Sequence, residues 1–239
     1  MRAMLAVALL TLVVTCHAAT VLNKNGQLTD ASPQLDGGEP YEAFNISFSK
    51  GDIVRCICTT DDFTPFLLAA TDDERNFEMG GNELTFFAKQ DGEAVVAVTS
   101  LGPHETGLFN LQVEVLPLKV AEGELPPALL DVNERLGPGD QALETGEFIR
   151  MYEVSVPEGH AAVVLVDAEF DAYLFVAVAG GEFMEVDDVD GRNPEYVWIG
   201  GGDAFIYVTS ARPGETGAYR LTVLSAEIDR GDTAEGDAP

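Results

Sequence analysis

One block of residues recurs in this chain, and the recurrence limits the folds open to it. At a displacement of 108, Asn25-x-x-Leu28 meets Asn133-x-x-Leu136, and Leu35-x-x-Gly38-Glu39 meets Leu143-x-x-Gly146-Glu147. In the same register Phe44-x-x-Ser47-x-x-x-Gly51 meets Tyr152-x-x-Ser155-x-x-x-Gly159. A slip of two follows, and at 110 Val98-Thr99-Ser100-x-x-Pro103-x-Glu105-Thr106-Gly107-x-Phe109-x-Leu111-x-Val113 meets Val208-Thr209-Ser210-x-x-Pro213-x-Glu215-Thr216-Gly217-x-Tyr219-x-Leu221-x-Val223. Chance does not align so many positions, so the chain is a duplication. The divisions read from it are a signal peptide at 1–18, repeat 1 at 20–116, a linker at 117–130, repeat 2 at 131–226 and a disordered acidic tail at 227–239. Each copy is of ordinary single-domain size.

Within each copy the apolar period is two. Phe44, Ile46 and Phe48 alternate with Asn45 and Ser47, and Phe109, Leu111, Val113 and Val115 alternate with polar neighbours, as do Tyr219, Leu221 and Val223. That alternation marks strands with one buried face. Two runs, 161–166 and 173–178, are continuously apolar and suit sandwich interiors. Gly, Pro, Asn and Asp punctuate the runs at the spacing of an antiparallel sandwich or barrel. Helical periodicity is confined to one possible turn at 128–133. The expected fold is all-β, with two tandem jelly-roll-like antiparallel sandwiches.

The N-terminus predicts export. Arg2 precedes an apolar run at 3–14, and the small residues Cys16, Ala18 and Ala19 follow, suiting cleavage after Ala18 or Ala19. The run is too short to span a bilayer as a helix, and no later stretch is apolar enough to do so. Residues 1–18 contain one base and no acid, so their removal leaves 12 Lys and Arg against 41 Asp and Glu, a net of −29. A charge of that size repels nucleic acid and anionic lipid, and it favours cations, basic partners and a saline medium.

The sequence Phe170-Asp171-Ala172-Tyr173-Leu174, the acidic loop Asp187-Asp188-Val189-Asp190, then Ala204-x-Ile206-Tyr207-Val208 and Gly217-x-Tyr219-x-Leu221-x-Val223 resemble the bacterial pre-peptidase C-terminal domain. The resemblance covers both repeats. It implies a jelly-roll-like sandwich on secreted proteins, serving in secretion, substrate attachment or surface association, with calcium bound in some relatives. Two departures stand out. No catalytic domain precedes the repeats, and repeat 1 has Thr64 at the place of Asp171 and Asp72-Asp73-Glu74 for the longer acidic loop.

Catalytic chemistry finds little to use. His104 and His160 fall in turns, where the other copy has Gly214 and Asp52, and no serine elbow, metalloprotease helix or phosphate loop is present. No catalytic residue, cofactor or metal ligand is expected. The carboxylates best grouped for calcium are Asp187, Asp188 and Asp190 with Asn193, although a solvated loop is the plainer reading. Cys56 and Cys58 point to one face of a strand as small core residues. Tyr196 and Trp198 beside Gly200-Gly201-Gly202 allow a sugar-stacking platform or strand-end packing, with packing preferred. Asn45-Ile46-Ser47 reads as an idle sequon, and Arg230-Gly231-Asp232 as a chance tripeptide.

The function expected is a non-catalytic binding module in the periplasm or outside the cell. Its partner would be an extracytoplasmic protein or polysaccharide, not nucleic acid, with no integral membrane span. The alternatives are a small secreted hydrolase using surface carboxylates and a structural component of the cell envelope.

Overall fold

The computed structural model describes residues 19–71, 77–121, 123–181, 183–187 and 193–230. The expected signal peptide at 1–18 and Gly231 and Asp232 lie outside them. The first repeat contributes β1 (Ala19–Leu28), β2 (Tyr41–Phe48), β3 (Ile53–Thr59), β4 (Pro65–Thr71), β5 (Phe77–Gly80), β6 (Glu83–Phe87), β7 (Gly92–Ser100) and β8 (Gly107–Leu116). The second contributes β9 (Ala128–Leu136), β10 (Gln141–Ala142), β11 (Phe148–Val156), β12 (His160–Ala168), β13 (Ala172–Val178), β14 (Phe183–Val186), β15 (Glu195–Ile199), β16 (Gly202–Ser210) and β17 (Gly217–Glu227).

Repeat 1 pairs its strands in two sheets, ordered β1-β8-β3-β6 and β2-β7-β4-β5. Repeat 2 forms β9-β17-β12-β15 and β11-β16-β13-β14, with the short β10 added at the edge of β11. The two orders are the same once equivalent strands are matched, and all the pairings are antiparallel. Each repeat is therefore a jelly-roll sandwich, as the strand period and the duplication led one to expect. We call the sheet containing β3 or β12 the inner sheet, because it lies toward the other repeat, and its mate the outer sheet.

Alternation places one side of each strand in the sandwich core. In repeat 1 that core holds Val54, Cys56 and Cys58 from β3, Leu67 and Ala69 from β4, and Val96 and Val98 from β7. In repeat 2 it holds Ala162, Val164 and Val166 from β12, Leu174 and Val176 from β13, and Ile206 and Val208 from β16.

A third cluster joins the repeats. Ile53, Phe87 and Leu118 of the first half pack with Ala161, Val163, Val197, Leu224, Ala226 and Ile228 of the second. The continuous run at 161–166 now has a cause: even-numbered β12 residues fill their own sandwich, while Ala161 and Val163 fill the joint between repeats. Polar contacts border the joint. Lys89 Nζ lies 2.7 Å from Glu195 Oε2, and Lys119 Nζ lies 2.7 Å from Glu227 Oε1.

Three sequence expectations change here. The possible helical turn at 128–133 is strand β9, hydrogen-bonded along β17, and the strand begins within the stretch expected to be linker. The expected tail at 227–239 begins too early, because Ile228 is 3% exposed in the joint and Asp229 N donates to Pro117 O at 2.8 Å. The run at 173–178 is not wholly interior, since Tyr173 and Phe175 point away from the core that holds Leu174 and Val176.

Forty-one acids against thirteen bases leave a surface of mostly unneutralised carboxylates. Their repulsion reaches about 30 Å at 0.01 M salt and about 8 Å at 0.15 M. The melting temperature of the protein is therefore expected to rise as NaCl increases from dilute to seawater-like concentration. A melting temperature indifferent to salt in differential scanning calorimetry removes the saline-adaptation reading.

Candidate functional site

The structure places most of the residues weighed for chemistry. His104 has a left-handed backbone, φ 63°, and its N donates to Gly38 O at 3.3 Å. Its equivalent, Gly214, has φ 75° and repeats the bond to Gly146 O at 3.1 Å. The turn accounts for this backbone geometry in both copies. His160 opens β12, with Nδ1 3.4 Å from Glu158 O. Cys56 and Cys58 are free thiols in the core of repeat 1, and burial pushes them up to about 12 and about 11 respectively. Both stay protonated and unreactive at neutral pH.

Thr64 and Asp171 do occupy equivalent places, since Leu101 N donates to Thr64 O and Ala211 N to Asp171 O. The Asp171 carboxylate faces Arg212 at 3.4 Å. In the acidic loop, Asn193 Oδ1 accepts a bond from Ala168 N at 3.3 Å, and Asp187 follows β14. Asp188 and Asp190 lie outside the described residues, as do Asp72, Asp73 and Glu74 of the first repeat. Among the described residues, no three His, Cys, Asp or Glu side chains are grouped to hold a metal ion.

Trp198 is 7% exposed in the core of repeat 2, with Tyr196 stacked on it at 6.2 Å and 25°. The pair is strand-end packing, as preferred from sequence. The three glycines that follow all have positive φ, and a Cβ on Gly201 would lie 2.2 Å from Pro157 O. They make the β15–β16 turn.

The feature that sequence reading missed is the outward face of the outer sheet in repeat 2. β11, β16, β13 and β14 lie side by side, and their register sets Met151 beside Tyr207, Tyr207 beside Phe175, and Phe205 beside Ala177, which pairs with Phe183. Met151 is 54% exposed, Phe183 58% and Phe205 38%, while Tyr173, Phe175 and Tyr207 are half-buried among them. Phe175 stacks on Phe183 at 5.5 Å and 23°, and Tyr173 tilts against Phe175 at 5.2 Å. The Tyr173 hydroxyl donates to Glu185 Oε2 at 3.1 Å; burial, followed by the neighbouring Glu185 and Asp187, raises its pKa.

Acids share this face with the rings. Glu153, Glu185 and Asp203 point outward, and no Lys or Arg holds an outward position on the four strands. Repeat 1 offers a measure of what the fold alone demands. It has Ala43 where repeat 2 has Met151, Val95 for Phe205, Ala97 for Tyr207 and Leu68 for Phe175. Phe66 and Phe77 stand at the places of Tyr173 and Phe183, so those two positions are aromatic in both copies. At Phe175, Phe205 and Tyr207 the same scaffold stands with aliphatic residues, so those three rings are not required for folding. One signal could have revealed them: comparison of the two copies at alternate positions, where repeat 2 adds Phe175, Phe205 and Tyr207 to the two aromatic positions both copies share.

Repeat 1 has its own feature nearby. Tyr41, Phe66, Leu68 and Leu101 line an open groove of ≈ 660 Å³ with Asp36 and Glu39.

No protein-family model matches the chain, and no curated protein sequence matches it. Among solved structures, similarity is found to the protein YhaK from Escherichia coli, at 10% identity and TM-score 0.21, over 87% of this chain and 86% of that one. The major capsid protein P2 from Bacteriophage PM2 is similar at 9% identity and TM-score 0.24, over 85% and 98%. The PBSX exported protein XepA is similar at 14% identity and TM-score 0.23, over 84% and 86%. At these values nothing of those proteins' roles transfers to this chain. No helix among the described residues is long and apolar enough to cross a membrane.

Proposed function

We propose that this chain is an exported, non-catalytic binding protein of two modules resembling the pre-peptidase C-terminal domain. The outward aromatic face of repeat 2 binds a protein in the periplasm or outside the cell, and the partner's contact surface is basic and apolar. The observation that carries this reading is the exposed ring cluster shared with acids, on four strands with no outward Lys or Arg. Aromatic residues and Met are enriched at the centres of protein interfaces, where they bury large areas with few rotatable bonds. The negative field of the chain steers a basic partner, and ring faces attract Lys and Arg. A polysaccharide fits the cluster less well. Sugar stacking needs ring faces open to solvent, whereas Phe175 and Phe183 cover one another.

The test is retention of an envelope extract on the immobilised protein, with Phe205→Ser and Met151→Ser beside the native chain. Outward substitutions of this kind leave folding stability within about 0.5 kcal/mol. Retention of the specific partner is expected to fall about tenfold per substitution, equivalent to about 1.4 kcal/mol, and to weaken with salt. Val95→Ser, at the equivalent place in repeat 1, should change nothing. Retention insensitive to Phe205→Ser and Met151→Ser refutes the assignment of this face. Retardation in polysaccharide gels, lost on Phe205→Ser, favours the sugar partner instead.

A further inference from the structure

The contact between the two repeats is reciprocal. Lys119 N donates to Glu227 O at 2.8 Å, and Asp229 N donates to Pro117 O at 2.8 Å, on either side of the antiparallel bridge Leu118–Ile228. The displacement of 110 that aligns β8 with β17 carries Pro117, Leu118 and Lys119 onto Glu227, Ile228 and Asp229. Each hydrogen bond is therefore the image of the other, and the bridged residues are images of each other.

The apolar joint follows the same rule. Ile53 and Ala161 are equivalent at 108, and Phe87 and Val197 at 110, and all four are buried in the one cluster. Leu116 and Ala226, also equivalent, both pack there. The equivalent strands β6 and β15 touch, with Phe87 N donating to Glu195 Oε1 at 3.3 Å. A contact in which residue i of one unit meets j of the other, while j meets i, is isologous and belongs to a two-fold pair.

We infer that the apolar side of the inner sheet is a self-pairing surface whose partner is a second copy of the same repeat, so that this chain is a two-fold dimer fused end to end. The halves differ in polar residues at the joint, with Thr85 and Lys89 in repeat 1 where repeat 2 has Glu195 and Ile199, so the Lys89–Glu195 pair has no two-fold image. Repeat 1 has Arg55 and Glu114, 3.8 Å apart, where repeat 2 has Val163 and Leu224. Repeat 2 therefore presents the more apolar surface and is the copy that pairs with itself.

The experiment uses the full chain with Cys16→Ser and a specific protease site inserted at Gly123, cleaved after folding. The halves are expected to elute together, at the size of the uncut protein. Leu118→Cys with Ile228→Cys should join them by a disulfide, because antiparallel partners lie about 4.5–5.5 Å apart at Cα, within disulfide reach. Cys56 and Cys58, buried in repeat 1, do not compete. Cleaved protein carrying Ile228→Cys alone is then held in enough urea for isotope-labelled and unlabelled halves to exchange, and returned to buffer. Two-fold pairing yields disulfide-linked pairs of repeat 2, seen by mass spectrometry and abolished by reductant. Halves that separate on cleavage overturn the inference. So do halves that exchange but re-pair only as repeat 1 with repeat 2.

Discussion

Val163→Arg is expected to lower the melting temperature of the whole chain by about 10 °C, although the equivalent residue of repeat 1 is already an arginine. Val163 is 1% exposed and faces the joint between repeats, packed with Phe87, Leu224 and Ala226. An arginine there leaves an unpaired charge among apolar groups, at a cost of about 3–5 kcal/mol. Across a unit of this size each kcal/mol moves the midpoint by about 2–4 °C. Arg55 is harmless at the same place because it reaches solvent and two carboxylates, with Nε 2.8 Å from Glu83 and the guanidinium 3.8 Å from Glu114. The reverse substitution, Arg55→Val, removes only half-exposed ion pairs and should cost about 1 kcal/mol or less. Equal, small effects at the two positions would show that β12 is not covered on its second side, and the joint would then be an incidental contact.

The same two positions show what the sequence could and could not disclose. Period-two alternation at Phe109–Leu111–Val113 and at Tyr219–Leu221–Val223 made strands legible, because one-sided burial writes itself into alternate residues. Repetition made the two domains legible. The run at 161–166 signalled burial on both sides but not the identity of the second partner, since a sandwich interior and an interface demand the same residues. Ala128-Leu129-Leu130 carried no period long enough to choose between helix and strand, and β17 decided by supplying hydrogen-bond partners from far along the chain. Ile228 stood alone among acids, and a single apolar residue has no period at all, yet it bridges to Leu118. The aromatic face was hidden for a related reason. Tyr173 and Phe175 interleave with the core residues Leu174 and Val176, so an uninterrupted apolar run concealed its solvent side. Only the register across β11, β16, β13 and β14 assembles Met151, Tyr207, Phe205 and Phe183 with them.

Trp198 separates an aromatic residue that builds the fold from those that face a partner. It is the chain's single tryptophan, so its fluorescence reports one site. Its side chain belongs to the core of repeat 2, while Val197 beside it turns outward to the joint. Ala162 lies between Trp198 and Ser225 in the sheet register, and among the described residues the indole N–H and the Ser225 hydroxyl, both buried, have no hydrogen-bond partner. Trp198→Ala should cost about 3–5 kcal/mol through lost transfer energy and the cavity left behind, lowering the midpoint by about 10 °C. Trp198→Phe should cost less, about 1–2 kcal/mol, because it keeps a ring in place and removes a buried donor that has no partner among the described residues. Emission of the native protein should lie toward the blue, shift to the red on unfolding, and stay unmoved by added oligosaccharide. Phe205→Ser, on the outward face, should leave the midpoint unchanged while weakening partner binding. If Trp198→Ala left the midpoint where it was and Phe205→Ser lowered it, the roles of the two residues would be reversed, and the binding face would have to be sought at the β15 end of the sandwich.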